Sequence, residues 1–255
     1  MTCRIISHRG LCRKHFWTPR KGENTIEAFR DGIQALESMG MEKSIEFDIR
    51  AAKDGALVVR HYERLDGTTN VSGLVWDYTA EGLQKLDAGY GRKIPLLSEV
   101  LDTFKDEDVE FNIELKENTI INEVRRMILE QGLGTKTIIS AFDRDDNDPR
   151  YKFTERFSTW DDLPRAGAEI RFALLATKNK IKKIGGEESF VKVALEYGAS
   201  AIHPENTATN KKLITLAHDA GLKVRVWVVN GKREYRELKE MGVDAVFCDN
   251  PLFLK

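Results

Sequence analysis

Three acidic side chains in two short alternating runs carry the first chemical signal of this sequence. Within residues 44–50, Ile45, Phe47 and Ile49 alternate with Glu46, Asp48 and Arg50, so an extended chain places both carboxylates on one face. Residues 110–115 repeat the pattern: Phe111, Ile113 and Leu115 alternate with Asn112 and Glu114, and Lys116 continues the polar side. Strands of a closed parallel sheet are buried on both faces, so inward carboxylates need a cation or basic partners. Hard carboxylate oxygens, with no cysteine and little imidazole, suit Mg2+, Ca2+ or Mn2+ rather than zinc. The same residues allow a second reading, a buried ion network in which Glu46 and Asp48 pair with Arg50, Lys116 or Arg9. His8 ends an apolar run near the N-terminus and His61 ends Leu57-Val58-Val59. A single such histidine is more often structural, but two converging on an acidic site tilt the balance toward the metal reading.

These residues must be positioned by a repeated unit. Six times a glycine follows a helix-like stretch and precedes a β-rich run: at Gly40, Gly132 with Gly134, Gly167, Gly198, Gly221 and Gly242. Glycine just past a helix takes the left-handed conformation, and a short loop then feeds the next strand. The strands so predicted are 44–50, 137–140, 170–175, 200–203, 223–229 and 245–248, and the runs 3–7 and 110–115 bring the number to eight. Eight strands alternating with helices imply parallel pairing, in a closed barrel or an open doubly wound sheet. Polar residues at the C-terminal strand ends, and the absence of a glycine-rich nucleotide fingerprint after any strand, favour a closed (β/α)8 TIM barrel. Asn24, with Glu27 three residues on, is expected to form a capping box for the first helix. Residues 51–97 interrupt the alternation as a small insertion after the second strand, with Asp54-Gly55 as a hairpin turn to residues 56–60. The polar segment 143–160 reads only as loop with some helix. The expectation is one domain over residues 1–255.

Bulk properties narrow the function. The chain has 255 residues, 40 basic and 41 acidic, for a net charge of −1, so no overall field favours nucleic acid or an anionic membrane. No apolar stretch approaches ~18 residues, so no membrane insertion is expected. His8-Arg9-Gly10 follows the start so closely that no secretory leader fits, and a cytoplasmic location is expected. The three cysteines lack metal-type spacing. Cys3 and Cys248 fall at opposite ends of their strands, roughly 10 Å or more apart and too far for a bridge.

His8-Arg9-Gly10, Glu23-Asn24-Thr25, Glu46-x-Asp48, Asp54-Gly55, His61, Thr68-Thr69, Ile94-Pro95 with Leu97 and Glu99, Ile113-Glu114-Leu115-Lys116, Trp227-Val228-Val229-Asn230 and Asp249-Asn250-Pro251 occur in that order. Over essentially the whole chain this series resembles the glycerophosphodiester phosphodiesterase family. The resemblance implies the barrel, one divalent cation held by Glu46, Asp48 and Glu114, acid–base histidines at His8 and His61, and phosphate contacts from Arg9 and Lys116. It implies hydrolysis of small-molecule glycerophosphodiesters to an alcohol and glycerol 3-phosphate. Glu23 is a candidate to hold a basic residue or a substrate hydroxyl, Trp227 to line the pocket, and His203 to touch substrate. Each also has a structural reading, as helix-start acid, core aromatic or core imidazole. His218, in a helix, is expected at the surface.

Three positions depart from the family pattern: Tyr62 stands where an aspartate usually follows the second histidine, Gly67 where an arginine precedes the paired threonines, and Gly22 where a proline precedes Glu23. The first leaves the orientation of His61 open. A lysophospholipid or sugar-phosphate specialist, or a barrel that binds without turnover, are the competing functions. The loop 11–22 is long for a strand-to-helix connection and carries Arg13, Lys14, His15, Phe16, Trp17, Arg20 and Lys21, a candidate specificity lid.

Overall fold

The period-two runs become strands, and their closure is what gathers the acidic faces. In a computed structural model, which describes residues 3–11, 22–142 and 170–255, the strands are β1 (Arg4–His8), β2 (Ser44–Ala51), β3 (Leu57–Val59), β4 (Glu110–Leu115), β5 (Thr137–Phe142), β6 (Arg171–Ala176), β7 (Ala201–Pro204), β8 (Lys223–Val226) and β9 (Ala245–Cys248). All but β3 run parallel, in the order β1-β2-β4-β5-β6-β7-β8-β9, and β9 pairs back onto β1 with Arg4 opposite Ala245. The result is a closed eight-stranded parallel barrel without a free edge among these strands. The polar segment 143–160 and most of the loop 11–22 lie outside the described residues, as does Gly167.

Each predicted strand is present. The one large shift is at 223–229, where the regular strand stops at Val226 and Trp227 bridges the backbone of Glu205. Outward side chains Ile45, Phe47, Ile49, Phe111, Ile113 and Leu115 join the main core between sheet and helices. Phe47 there meets Phe29 with ring centroids 5.4 Å apart. Inside the barrel the middle is filled by small and medium apolar groups, among them Ile6, Ile138, Ala173, Ala201 and Ala245. Charged side chains lie at both ends of the interior, Glu110 and Arg225 at one and Glu46, Asp48 and Glu114 at the other.

The described helices are α1 (Ile26–Ser38), α2 (Ala80–Gln84), α3 (Leu97–Phe104), α4 (Ile121–Glu130), α5 (Lys178–Lys183), α6 (Glu187–Glu196), α7 (Lys211–Asp219) and α8 (Lys232–Met241). Gly242 closes α8 in the left-handed conformation, φ 96°, as the glycine pattern predicts. The start of α1 differs from expectation. Its cap is Thr25, whose hydroxyl accepts from the Ala28 N–H, while Asn24 sits at φ 56° with its side chain on Asp48. Asparagine tolerates that left-handed backbone, and its amide is committed to the buried carboxylate. Gly10 is fixed by a close approach: a Cβ there would lie 2.5 Å from the Ala28 backbone. This contact packs the start of α1 against the end of β1.

The insertion forms as expected. β3 pairs antiparallel to β2 across Asp54-Gly55, and α2 follows. The Asp54 carboxylate accepts from the backbone N–H of both Ala56 and Ala80, tying the turn to α2. A small apolar cluster of its own, including Val58, Leu65, Val75, Leu83 and Ile94, holds the segment together.

At the N-terminal end of the barrel, Glu110 accepts from Arg225 at 2.7 Å, Arg171 at 3.0 Å and Arg4 at 3.3 Å. Burial pushes the Glu110 carboxyl up, but Arg225, Arg4 and Arg171 outweigh it and hold it down at about 2. A carboxylate depressed in the folded state contributes stability that is present above its ordinary value of 4.5 and lost as pH falls toward 2. Glu110→Gln is therefore expected to lower stability at pH 7 by roughly 3 kcal/mol. It should also flatten the loss of stability between those pH values, as read by denaturant melts at each pH. An unchanged acid limb in the variant refutes this role.

Candidate active site

β1, β2 and β4 lie side by side, with Asp48 opposite Glu114 in the register. Period two then directs Glu46, Asp48 and Glu114 into the barrel, and one oxygen from each lies within 4.8 Å of the others. Lys116 Nζ forms an ion pair with Asp48 Oδ1 at 2.9 Å and also contacts Glu114. Arg9 meets Asp48 through Nε at 3.3 Å and Glu23 through Nη1 at 3.2 Å, and Asn24 donates to Asp48 Oδ2 at 2.9 Å. The ion network and the candidate cation-binding triad thus share Asp48 and Glu114. Arg50 is the exception: it turns away to Glu117 at 3.5 Å and donates through Nε to the His61 carbonyl.

The three carboxylates are not equivalent. Burial pushes Asp48 up, yet Lys116 and then Arg9 dominate and hold it well below the usual range. Glu46 is pushed well above it by burial and by its neighbours Asp48 and Glu114. Glu46 Oε2 accepts from the Arg9 backbone N–H at 3.1 Å, whereas buried Oε1 has no hydrogen-bond partner among the described residues. Three carboxylates against two cations, with one oxygen orphaned, fit a hard divalent cation bound by Glu46, Asp48 and Glu114. The ordinary network alone leaves that oxygen unexplained.

His8 is held from behind. Its Nδ1 lies 2.7 Å from Asp249 Oδ1, and Asn230 donates to Asp249 Oδ2 at 2.6 Å. The other ring nitrogen, Nε2, is 3.8 Å from Glu46. Because a carboxylate only accepts, His8 Nδ1 carries the hydrogen, and Nε2 is the nitrogen turned toward the site. His61 approaches from the insertion side, edge-on to Tyr62 at 4.5 Å, and burial pushes it down to about 2. Tyr62 is 40% exposed and 5.9 Å from the Arg9 guanidinium. It gives His61 an aromatic neighbour at the position where the family pattern has an aspartate.

A cavity of about 350 Å3 opens over this centre, lined on one side by His8, Arg9, Glu46, His61, Glu114 and Lys116. Its other side is formed by Phe142, Leu175, His203, Trp227, Val228 and Phe247. Trp227 therefore faces the cavity, and its Nε1 donates to the His203 carbonyl at 2.7 Å. Glu23 stands behind Arg9, the basic-residue partner that the sequence leaves as one of two options. His218 lies on α7 and meets Asp244 at 2.9 Å. Sequence reasoning missed Asn24, Asn230 and Asp249 as site residues. Their signal was membership in the ordered motif series, which names positions but not partners.

The model of the glycerophosphoryl diester phosphodiesterase family matches residues 8–252. This chain belongs to that family. Among its relatives is the glycerophosphodiester phosphodiesterase of Caldanaerobacter subterraneus, 30% identical over 97% of this chain and 94% of the relative. As a member of the glycerophosphoryl diester phosphodiesterase family, the chain is a phosphoric diester hydrolase. Solved structures share the fold: a glycerophosphoryl diester phosphodiesterase from Agrobacterium tumefaciens has a TM-score of 0.78 at 21% identity, covering all of this chain and 96% of the other. An Oleispira antarctica phosphodiesterase, solved with its product sn-glycerol-3-phosphate, has a TM-score of 0.75 at 21% identity, with 98% and 94% covered.

Proposed function

We propose that this single barrel domain, residues 1–255, hydrolyses glycerophosphodiesters to an alcohol and glycerol 3-phosphate. Glu46, Asp48 and Glu114 would hold one divalent cation, Mg2+ or Ca2+ with Mn2+ as the alternative. The observation that carries the reading is the orphaned, buried oxygen of Glu46 within a carboxylate triad flanked by two histidines, in a member of this family. When bound, the cation neutralises charge on the phosphodiester oxygens.

The side chains supply the rest. Arg9 and Lys116 line the cavity beside the triad and balance the charge of a phosphate placed there. The attacking oxygen is that of water or of the neighbouring glycerol hydroxyl; either way its proton must leave and the departing alkoxide must gain one. His8 takes the first role, because proton uptake at Nε2 creates an imidazolium already paired with Asp249. His61 takes the second. Its ring is partly buried, with no carboxylate hydrogen-bonded to it among the described residues, and an anionic diester beside it raises its proton affinity. Trp227 walls the alcohol side, and Glu23 fixes Arg9.

No helix among the described residues is long and apolar enough to cross a membrane. Cys3 is a free thiol, which supports the cytoplasm as the place of action on a small-molecule substrate. The test is a product screen of glycerophosphocholine, glycerophosphoethanolamine, glycerophosphoinositol, a lysophospholipid and a sugar phosphodiester, each with Mg2+, Ca2+ and Mn2+. Glycerol 3-phosphate from the first three is expected. Turnover of the lysophospholipid or sugar diester alone moves the assignment to that substrate, and no turnover of any diester leaves a binding protein.

A further inference from the structure

His203 is a buried polar side chain that the chemistry above does not use. It is fully buried on β7, and neither ring nitrogen has a hydrogen-bond partner among the described residues. Its ring lies 5.0 Å from that of Phe247, and it lines the cavity. A side chain needed only for packing has no use for two ring nitrogens, since each left unsatisfied in the interior costs free energy that an apolar group of the same size avoids. Burial, with Arg225 next in effect, holds His203 well below the usual imidazole range. The neutral ring offers one donor and one acceptor.

Its surroundings narrow the ligand. The cavity divides into a charged half, where Arg9, Glu46, Glu114 and Lys116 meet the phosphate, and a neutral half formed by Phe142, Leu175, Trp227 and Phe247. Within the cavity lining, Asn112 donates to Ser140 Oγ at 3.0 Å, and its own buried Oδ1 is also without a partner among the described residues. Uncharged hydrogen-bonding groups set among apolar walls match a hydroxylated carbon chain, with C–H faces for the walls and O–H groups for the side chains. Among the described residues, a second phosphate or a carboxylate finds no cation lining that side of the cavity.

We propose that His203 binds a hydroxyl of the alcohol portion of the substrate, making the neutral half of the cavity a hydroxyl-selecting subsite. The proposal rests on the phosphodiesterase reading and names a specificity-determining residue within it. A site built to bond a hydroxyl rejects the analogue lacking it, because its own buried groups are then left unpaired.

The test measures inhibition constants of glycerol 3-phosphate and n-propyl phosphate, which share the phosphate half and differ in both hydroxyls. Wild type is expected to prefer glycerol 3-phosphate by about 10-fold or more. His203→Phe, which keeps the ring packing on Phe247, should erase most of that preference, and His203→Gln, which keeps a donor and an acceptor, should retain much of it. If the preference survives in His203→Phe but discrimination between glycerophosphoinositol and glycerophosphocholine collapses, the hydroxyl belongs to the leaving alcohol. Preferences unchanged for both pairs overturn the proposal while leaving hydrolysis by the wild type intact. Should His203→Phe fail to fold, 15N spectra of the wild-type histidines decide: glycerol 3-phosphate must shift the His203 ring nitrogens and propyl phosphate must not.

Discussion

Glu46→Gln and Asp48→Asn are each expected to abolish turnover, by about 10^3-fold or more, with no rescue by excess Mg2+ or Ca2+. Thorough chelation of the wild type should do the same, reversibly. The two variants separate in stability. Glu46 is a buried carboxylate with an orphaned oxygen, so neutralising it removes a desolvation cost and should raise the Tm of the metal-free protein. Asp48 is gripped by Lys116, Arg9 and Asn24, and its neutralisation leaves each of two buried cations with one carboxylate partner fewer, Lys116 with Glu114 and Arg9 with Glu23. Asp48→Asn should therefore lower stability by roughly 3–5 kcal/mol. Wild type should gain about 2.7 kcal/mol when the cation is present at ~100 times its dissociation constant, and Glu46→Gln should gain little. Full activity after dialysis against EDTA, or an equal metal-dependent Tm rise in Glu46→Gln, would defeat the assignment.

The second large effect concerns the histidines. His8→Ala and His61→Ala should each lower kcat by about 10^2 to 10^4 on a glycerophosphodiester with an alkyl leaving group. Their division of labour predicts a contrast. A p-nitrophenyl ester of glycerol phosphate leaves without proton help, so His61→Ala should recover most of its activity on that substrate whereas His8→Ala should not. Asp249→Asn should act in the same direction as His8→Ala, because an amide no longer balances an imidazolium. Equal losses for His61→Ala on both esters would mean that His61 does not protonate the leaving group. A nearly silent His61→Ala would show that Tyr62, in place of the family's aspartate, accompanies a relocated acid.

The acid run of β2, the acid run of β4 and the repeated glycines could be read from sequence because each is a local signal. A strand's two faces are fixed by a period of two residues, and a helix end by the backbone that glycine accepts. Hence the eight strands, the barrel, the hairpin at Asp54-Gly55 and the inward aim of Glu46, Asp48 and Glu114 were all legible, and hard oxygen donors already pointed to a hard cation. What the chain could not specify locally was who meets whom once the barrel closes. His8 and Asp249 are 241 residues apart and become neighbours only because β9 pairs with β1. Asn24 looked like a helix cap, but the buried charge of Asp48 won its side chain, and Thr25 took over the cap. Arg50 shares the face of Glu46 and Asp48 in sequence, yet it lies at the end of the strand, beyond the barrel's carboxylate cluster, where Glu117 and the His61 carbonyl are within reach. His203 had no distinguishing spacing at all. Its meaning lies in two nitrogens left without partners, and the absence of a partner is a property of the folded interior, where desolvation makes every unpaired polar group costly.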